Sequence, residues 1–273
     1  MNWLQAFVLG IVQGLTEFLP ISSTAHLRIV PHYLGWGDPG AAFSAVIQLG
    51  TLAAVFVYFA NDIKGLAIAA FDGLRYRNLK HSPESLLAWS IAFGTIPIAV
   101  LGLSFKDLIE TEARGLHIIG TTLIVLALAL MASERIGKRN MGMQELSFWK
   151  IQFIGLCQAL ALVPGCSRSG STIMGGLFIG LKRHEAARFS FLLGLPAIGA
   201  SGLLEFFDLL DAGLGEEGLL NIGVGILAAA ASGYLSIGFL LRFLQKYGTD
   251  TFSIYRILLG GIILYGVNTQ VTP

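Results

Sequence analysis

Apolar residues along this chain run in long uncharged blocks rather than alternating with polar ones. Four such blocks are Pro39–Asn61, Ser85–Phe105, Gly115–Ser133 and Gly218–Leu241. Each approaches or exceeds the roughly 20 residues an α-helix needs to cross about 30 Å of hydrocarbon. Two further blocks, Phe189–Phe207 and Thr251–Val267, are shortened only by Glu205 and Arg256. Arg256 is expected to snorkel toward an interface, its aliphatic stem in lipid and its head in water. The period-2 alternation of a transmembrane β-barrel is missing, so the pattern predicts six membrane-crossing helices.

Two other apolar segments are too short to cross and are interrupted in the same way. The first runs from Met1 to about Pro20 and resumes briefly to Val30; the second runs from Ile151 to Val163, stops at Pro164-Gly165 and resumes after Arg168. Each break gathers a proline, several hydroxyl residues and a charge. Irregular backbone at membrane depth is tolerated only where protein or a polar cavity covers it, so both segments read as re-entrant helical hairpins. No Lys or Arg precedes Arg28, which argues against a signal peptide at the start.

Composition agrees with this layout and adds a sidedness. Of 273 residues, 54% are hydrophobic and 13% charged, against about 25% charged in a soluble domain. A net charge of +1 leaves no basic field for nucleic acid, and two cysteines make no disulfide framework. With both hairpins returning to the side they entered, thirteen basic residues fall on one face: Lys64, Arg75, Arg77, Lys80, Arg135, Lys138, Arg139, Lys150, Lys182, Arg183, Arg188, Arg242 and Lys246. The other face has Arg28, Lys106 and Arg114, and an acidic connection from Glu205 to Glu217. By the positive-inside rule the basic face is cytoplasmic and both termini lie outside. Trp3, Trp36, Trp89 and Trp149 fall near segment ends, as an aromatic belt would place them.

The two halves share landmarks. Gly10-x-x-Gln13 answers Gly155-x-x-Gln158, Pro20 answers Pro164, Ser23-Thr24 answers Ser171-Thr172, and Phe43-Ser44 answers Phe189-Ser190, at offsets of 145, 144, 148 and 146. The fold expected is therefore an all-α integral membrane protein, a single membrane domain over 1–273, with one repeat over about 1–135 and a second over about 148–273. Each repeat has one hairpin and three crossings. Three is odd, so the second repeat is inverted, and inverted repeats bring their broken helices together near the midplane.

The chemistry gathers at the two breaks. Gln13 and Glu17 are spaced i, i+4 and share a helix face. Ser22, Ser23, Thr24 and His26 follow them, and the second break carries Ser167, Arg168, Ser169, Ser171 and Thr172. A simple Glu17–Arg168 ion pair would need neither the hydroxyls nor the histidine around it. Hydroxyl-rich turns at helix starts offer N–H groups to an anion, and arginine adds a forked donor suited to phosphate. A carboxylate beside phosphate calls for a cation, the role Mg²⁺ plays between carboxylates and phosphates. The residues thus point to a phosphate or diphosphate site with a divalent metal, reached partly through lipid. The remaining histidines (His32, His81, His117 and His184) read as interfacial or packing residues, and Ala228–Gly233 as close helix packing, with a groove for a lipid tail as the alternative.

The stretches Gln-Gly-Leu-Thr-Glu-Phe-Leu-Pro-Ile-Ser-Ser-Thr-Ala-His (13–26) and Pro-Gly-Cys-Ser-Arg-Ser-Gly-Ser-Thr (164–172) resemble the two signature motifs of the bacterial undecaprenyl-diphosphate phosphatases, the bacitracin-resistance family. The resemblance implies hydrolysis of the C55 polyprenyl diphosphate to the monophosphate carrier lipid and phosphate, recycling that lipid for cell-wall synthesis and conferring bacitracin resistance. It implies Mg²⁺ or Ca²⁺ as cofactor, a polyprenyl diphosphate partner among membrane lipids, and an active site open to the outer face of the bacterial plasma membrane. Carried onto this chain, Glu17 is the catalytic carboxylate, with Gln13 where many members have a second glutamate; the two are the candidate metal residues. His26 is a candidate base or acid, Ser23 a candidate nucleophile or phosphate ligand, and Arg168 holds phosphate. Ser22, Ser167, Ser169 and Thr172 complete the phosphate cradle. The attacking group stays open among Ser23, His26 and water, and a homodimer stays open as well. Transport of the monophosphate lipid is the alternative function, since inverted repeats with broken helices are common in transporters.

Overall fold

A computed structural model describes residues 1–211, 213 and 216–269; the 212–215 connection otherwise, and the C-terminal residues 270–273 placed outside by the sequence reading, lie beyond the described residues. The fold is all-α. In the first half, α1 (Trp3–Phe18) and α2 (Ser23–Tyr33) form a broken pair, followed by α3 (Gly40–Tyr58), α4 (Ala60–Arg75), α5 (Pro83–Ser104), the short α6 (Lys106–Glu110) and α7 (Leu116–Ile136). In the second half, α8 (Phe148–Ala159) and α9 (Arg168–Phe178) form the matching pair, followed by α10 (Arg183–Asp211), α11 (Glu216–Lys246) and α12 (Asp250–Thr269). Six helices, α3, α5, α7, α10, α11 and α12, are long and apolar enough to cross a membrane. The expected crossings and both short pairs are thus present, with α4 added as an extra amphipathic helix.

The breaks have local causes. Asn2 caps α1 by accepting from the Gln5 N–H while the Gln5 side chain accepts from the Asn2 N–H, a reciprocal capping box. Pro20, with no N–H to donate, follows the last turn of α1. Ser22 then takes a left-handed φ of 75° and caps α2 through its Oγ, which accepts from Ala25 N. The second break repeats this device: Gly165 has φ 94°, Ser167 has φ 66°, and Ser167 Oγ accepts from Gly170 N. Ser22 and Ser167 are therefore structural equivalents, offset by 145 like the Gly-x-x-Gln pairs. This corrects the alignment of Ser23-Thr24 with Ser171-Thr172: Ser23 occupies the place of Arg168, the first residue of its helix.

Small residues let the broken helices press against crossing ones. A Cβ on Gly10 would overlap the Gly225 carbonyl of α11, and one on Gly155 would overlap the Gly94 carbonyl of α5. Gly14 meets Ala229, Ser232 and Gly233, so the small-residue run 228–233 is the packing surface expected of it. The hairpins enter from opposite ends. Asn221, near the start of α11, donates to Met1 O, whereas the segment before α8 is tied to the start of α10 by Met143 N donating to Glu185. One end of the molecule is knit by Arg188–Asp62, by Arg139 and Arg183 on the buried Glu134, and by Arg135–Asp250. The basic loops converge there. The other end is held by Lys106 on Glu205 and Asp208 and by Arg28 and Arg114 on Asp38.

Candidate active site

The two breaks meet in the interior, and Glu17 is the hinge of their contact. It is 6% exposed, and each of its oxygens is engaged. Oε1 accepts from Arg168 Nη2 at 2.9 Å; Oε2 accepts from Ser23 Oγ at 2.7 Å and from Gln13 Nε2 at 2.9 Å. The first residues of α2 and α9 therefore hold the two oxygens of one carboxylate. Arg168 is steadied by donating from Nη1 to the Ser190 carbonyl of α10 at 3.1 Å, while its Nε is buried without a partner among the described residues. Gly194, one turn further along α10, leaves the space the guanidinium fills, since a Cβ there would overlap Nη1.

A cavity of about 380 Å³ lies over this cluster. Glu17, Ser23, Thr24, Ser167 and Arg168 line its polar part; small and aliphatic residues of α3, α5 and α10, such as Ala45, Ala99, Ala197 and Ile198, line the rest. Lys106, Arg114 and Glu205 also line it, so it opens toward the end opposite the basic loops. The geometry suits a ligand with an anionic head at Arg168 and an apolar tail along the wall.

The other residues singled out from the sequence brace the tips. Ser169 Oγ donates to Leu19 O at 3.1 Å, tying the second tip to the first, and lies 3.1 Å from Ser167 Oγ. Thr172 Oγ1 donates to Arg168 O and meets Ser190 Oγ. Ser22 is committed to its capping bond. His26 is stacked on Tyr255 of α12, with Nδ1 2.7 Å from Ser22 O and Nε2 2.7 Å from the Tyr255 hydroxyl. Both ring nitrogens are thereby occupied, and Gln13, Ser22, His26, Ser169 and Thr172 are absent from the cavity lining among the described residues.

Arg256 overturns its expected role. It is 0% exposed and does not snorkel. Nη1 donates to Pro20 O at 3.2 Å, Nη2 to Gly165 O at 2.9 Å and to Cys166 O at 3.2 Å, and Nε to Leu123 O at 3.2 Å. Breaking a helix leaves carbonyls without partners, and in an apolar interior each must find a donor. One guanidinium supplies donors to both breaks. An arginine inside a crossing segment was itself the signal for such a role.

A divalent cation finds a partial donor set. Among the described residues there is no group of three or more His, Cys, Asp and Glu placed to hold a metal. Gln13 Oε1, however, is buried beside Glu17 with no protein partner, an orphaned oxygen of the hard type Mg²⁺ and Ca²⁺ take. Glu17 lines the cavity where phosphate would lie, whereas Gln13 turns its Nε2 to Glu17 and is absent from that lining among the described residues; its Oε1 would join a cation on Glu17 and phosphate once the amide turns over.

Comparison with known proteins identifies the family. The profile of the family described as bacitracin resistance protein BacA matches residues 6–262. Proteins named undecaprenyl-diphosphatase are similar over almost the whole chain. That of Chloroherpeton thalassium is 54% identical, covering 97% of this chain and 96% of its own. That of Chlorobaculum tepidum is 51% identical, covering 97% of each. That of Myxococcus xanthus is 49% identical, covering 98% and 90%. A chain that carries both broken-helix tips, and matches from α1 into α12, belongs to the bacitracin resistance protein family.

Proposed function

We propose that this membrane protein hydrolyses undecaprenyl diphosphate to undecaprenyl phosphate and inorganic phosphate, recycling the carrier lipid for cell-wall synthesis. The observation that carries the reading is the Ser23–Glu17–Arg168 contact on the floor of a cavity with an apolar wall. Relatives named for this activity support the substrate. The same names favour hydrolysis over transport of the lipid.

Arg168 orients the terminal phosphoryl group and stabilises the charge that builds on its outer oxygens. Ser23 is the attacking group that the geometry favours, because its hydroxyl lines the cavity and already donates to Glu17. Glu17 accepts the Ser23 proton as the Oγ–P bond forms and the bond to the bridging oxygen breaks, releasing the lipid monophosphate. Glu17 passes that proton to solvent; water then attacks the phosphoserine, its proton going to Glu17, which returns it to Ser23 Oγ as the Oγ–P bond breaks and inorganic phosphate leaves. His26 positions the start of α2 through Ser22 and Tyr255. Mg²⁺ or Ca²⁺ would be held by Glu17, Gln13 Oε1 and phosphate oxygens, and would neutralise charge on the diphosphate. The positive-inside rule, applied to a cavity that opens away from the basic loops, supports an active site on the outer face.

Purified protein given farnesyl or undecaprenyl diphosphate should release phosphate with Mg²⁺ or Ca²⁺ present and stop on adding EDTA. No release under any metal condition refutes the activity. Acid quenching with substrate labelled in its terminal phosphate should trap label on Ser23; turnover without trapped label, retained in Ser23→Ala, assigns attack to water.

A further inference from the structure

At the basic end of the molecule a second cavity, of about 630 Å³, lies between the ends of α3 and α11. It is lined by Tyr58, Tyr234, Leu235, Gly238, Phe239, Arg242, Phe243 and Lys246, none of which the proposed reaction uses. Positions 235, 239, 242 and 246 recur at helical spacing, so one face of α11 presents two apolar residues and then two cations. Arg242 and Lys246 form no ion pair with an acidic residue among the described residues, unlike Arg139, Arg183 and Arg188; Lys138 and Lys182 at the same end are likewise without one, but of these cations it is Arg242 and Lys246 that line the crevice. Leu235 is 69% exposed and Phe239 53% exposed on a helix that crosses the membrane, so this face meets lipid.

We infer that this crevice binds the phosphate headgroup of an anionic phospholipid from the leaflet at the basic end. Three features select a lipid over a free anion. The two cations lie within the last turns of α11, where headgroups sit, and they are unneutralised by protein. From Lys246 back to Tyr234 the helix descends about 18 Å at 1.5 Å per residue, the depth of the upper part of an acyl chain. The walls along that descent are aromatic and aliphatic, with the paired rings of Tyr58 and Tyr234 (centroids 5.4 Å apart) at the inner end. Gly238 places no side chain over the floor; a Cβ there would just touch the Tyr58 ring at 3.7 Å. Basic pockets between crossing helices on the cytoplasmic side are recurrent headgroup sites. Arg242 supplies a forked donor for phosphate oxygens and Lys246 a mobile point charge.

Native mass spectrometry of the detergent-purified full chain tests this, with phosphatidylglycerol, phosphatidylcholine and inorganic phosphate as separate probes. Wild-type protein should retain phosphatidylglycerol over phosphatidylcholine by about tenfold, and the doublet Arg242→Ala/Lys246→Ala should lose that preference. Arg242→Lys/Lys246→Arg, which keeps the charge, should restore most of it. Lys138→Ala/Lys182→Ala removes equal charge from the same end outside the crevice and should change nothing. Equal retention of both lipids, or a preference surviving in the Arg242→Ala/Lys246→Ala protein, overturns the proposal. So does phosphatidylglycerol displaced by millimolar inorganic phosphate, which would make this a free-anion site. Because none of these readouts involves turnover, the outcome is independent of the phosphatase reading.

Discussion

The two broken-helix tips share a backbone and differ in chemistry. Each has a glycine and a glutamine on the entering helix, a serine with left-handed φ as cap, and a returning helix that starts directly behind it. At the offset of 145 that equates Ser22 with Ser167, Glu17 corresponds to Leu162, Ser23 to Arg168 and His26 to Ser171. The first tip therefore keeps the acid and the hydroxyl, and the second keeps the cation. The supports diverge too: Thr122 of α7 donates to Pro164 O, while Arg256 of α12 donates to Pro20 O and reaches over to Gly165 and Cys166. The approximate symmetry brings two tips to one point. The proposed reaction needs them unlike, because a base and a phosphate clamp cannot be the same residue.

Removing that unlikeness should have the largest effect. Arg168→Ala and Glu17→Ala should each lower phosphate release by about 10³-fold or more, the scale of losing a donor aimed at developing charge. Each also strands the other member of a buried pair, at a cost of about 3–5 kcal/mol, so thermal unfolding in detergent must be measured alongside. Glu17→Gln keeps the shape and still removes the base; well-folded Glu17→Gln protein with wild-type turnover would break the assignment.

Next in size is the shared support. Arg256→Lys keeps a buried cation but cannot reach four carbonyls, so kcat should fall by about 10- to 100-fold with KM changed little. A merely structural loss would lower the active fraction and leave the kcat of the folded protein alone. Active-site titration separates these outcomes.

The crossings, both hairpins and the Glu17–Arg168 meeting were legible because each follows from scarcity of charge in apolar segments. Three features were not. Arg256 looked like a snorkelling residue because it sits five positions from the start of a short apolar block, and only the convergence of both breaks on it shows four acceptors waiting. Gly194 is one glycine among 34, and its value depends on where the Arg168 guanidinium comes to rest. The pairing of Ser23 with Ser171 failed because residue identity was matched where backbone conformation is what repeats, as the φ values of Ser22 and Ser167 show.

A smaller effect is expected at Gln13, the residue that makes the first tip differ from a two-carboxylate site. Gln13→Glu places a second negative group where Nε2 now donates to Glu17 Oε2 at 2.9 Å. The two carboxylates repel unless a cation lies between them. With saturating Mg²⁺, turnover should stay within about threefold of wild type, while the Mg²⁺ concentration for half-maximal rate should fall. Turnover lost at every metal concentration would show that the amide N–H, rather than its oxygen, is what the site requires.

The smallest effect should be at the equivalent residue of the other tip, and it is the sharpest test of asymmetry. Gln158 is 0% exposed, and neither of its amide atoms finds a partner among the described residues. Gln13 has Glu17 to donate to, but Gln158 faces a tip whose corresponding position is Leu162. Replacing an unpaired buried polar group by an apolar one of similar shape is close to neutral or stabilising. Gln158→Leu should therefore leave turnover within about twofold and hold or raise the unfolding temperature. Gln13→Leu, the same change at the first tip, takes a hydrogen bond from the proposed catalytic carboxylate, Glu17, and should cut turnover by about tenfold. Equal losses at both positions would mean that the second tip contributes polar chemistry of its own. The division of labour between an acidic tip and a cationic one would then be wrong, even with the fold intact.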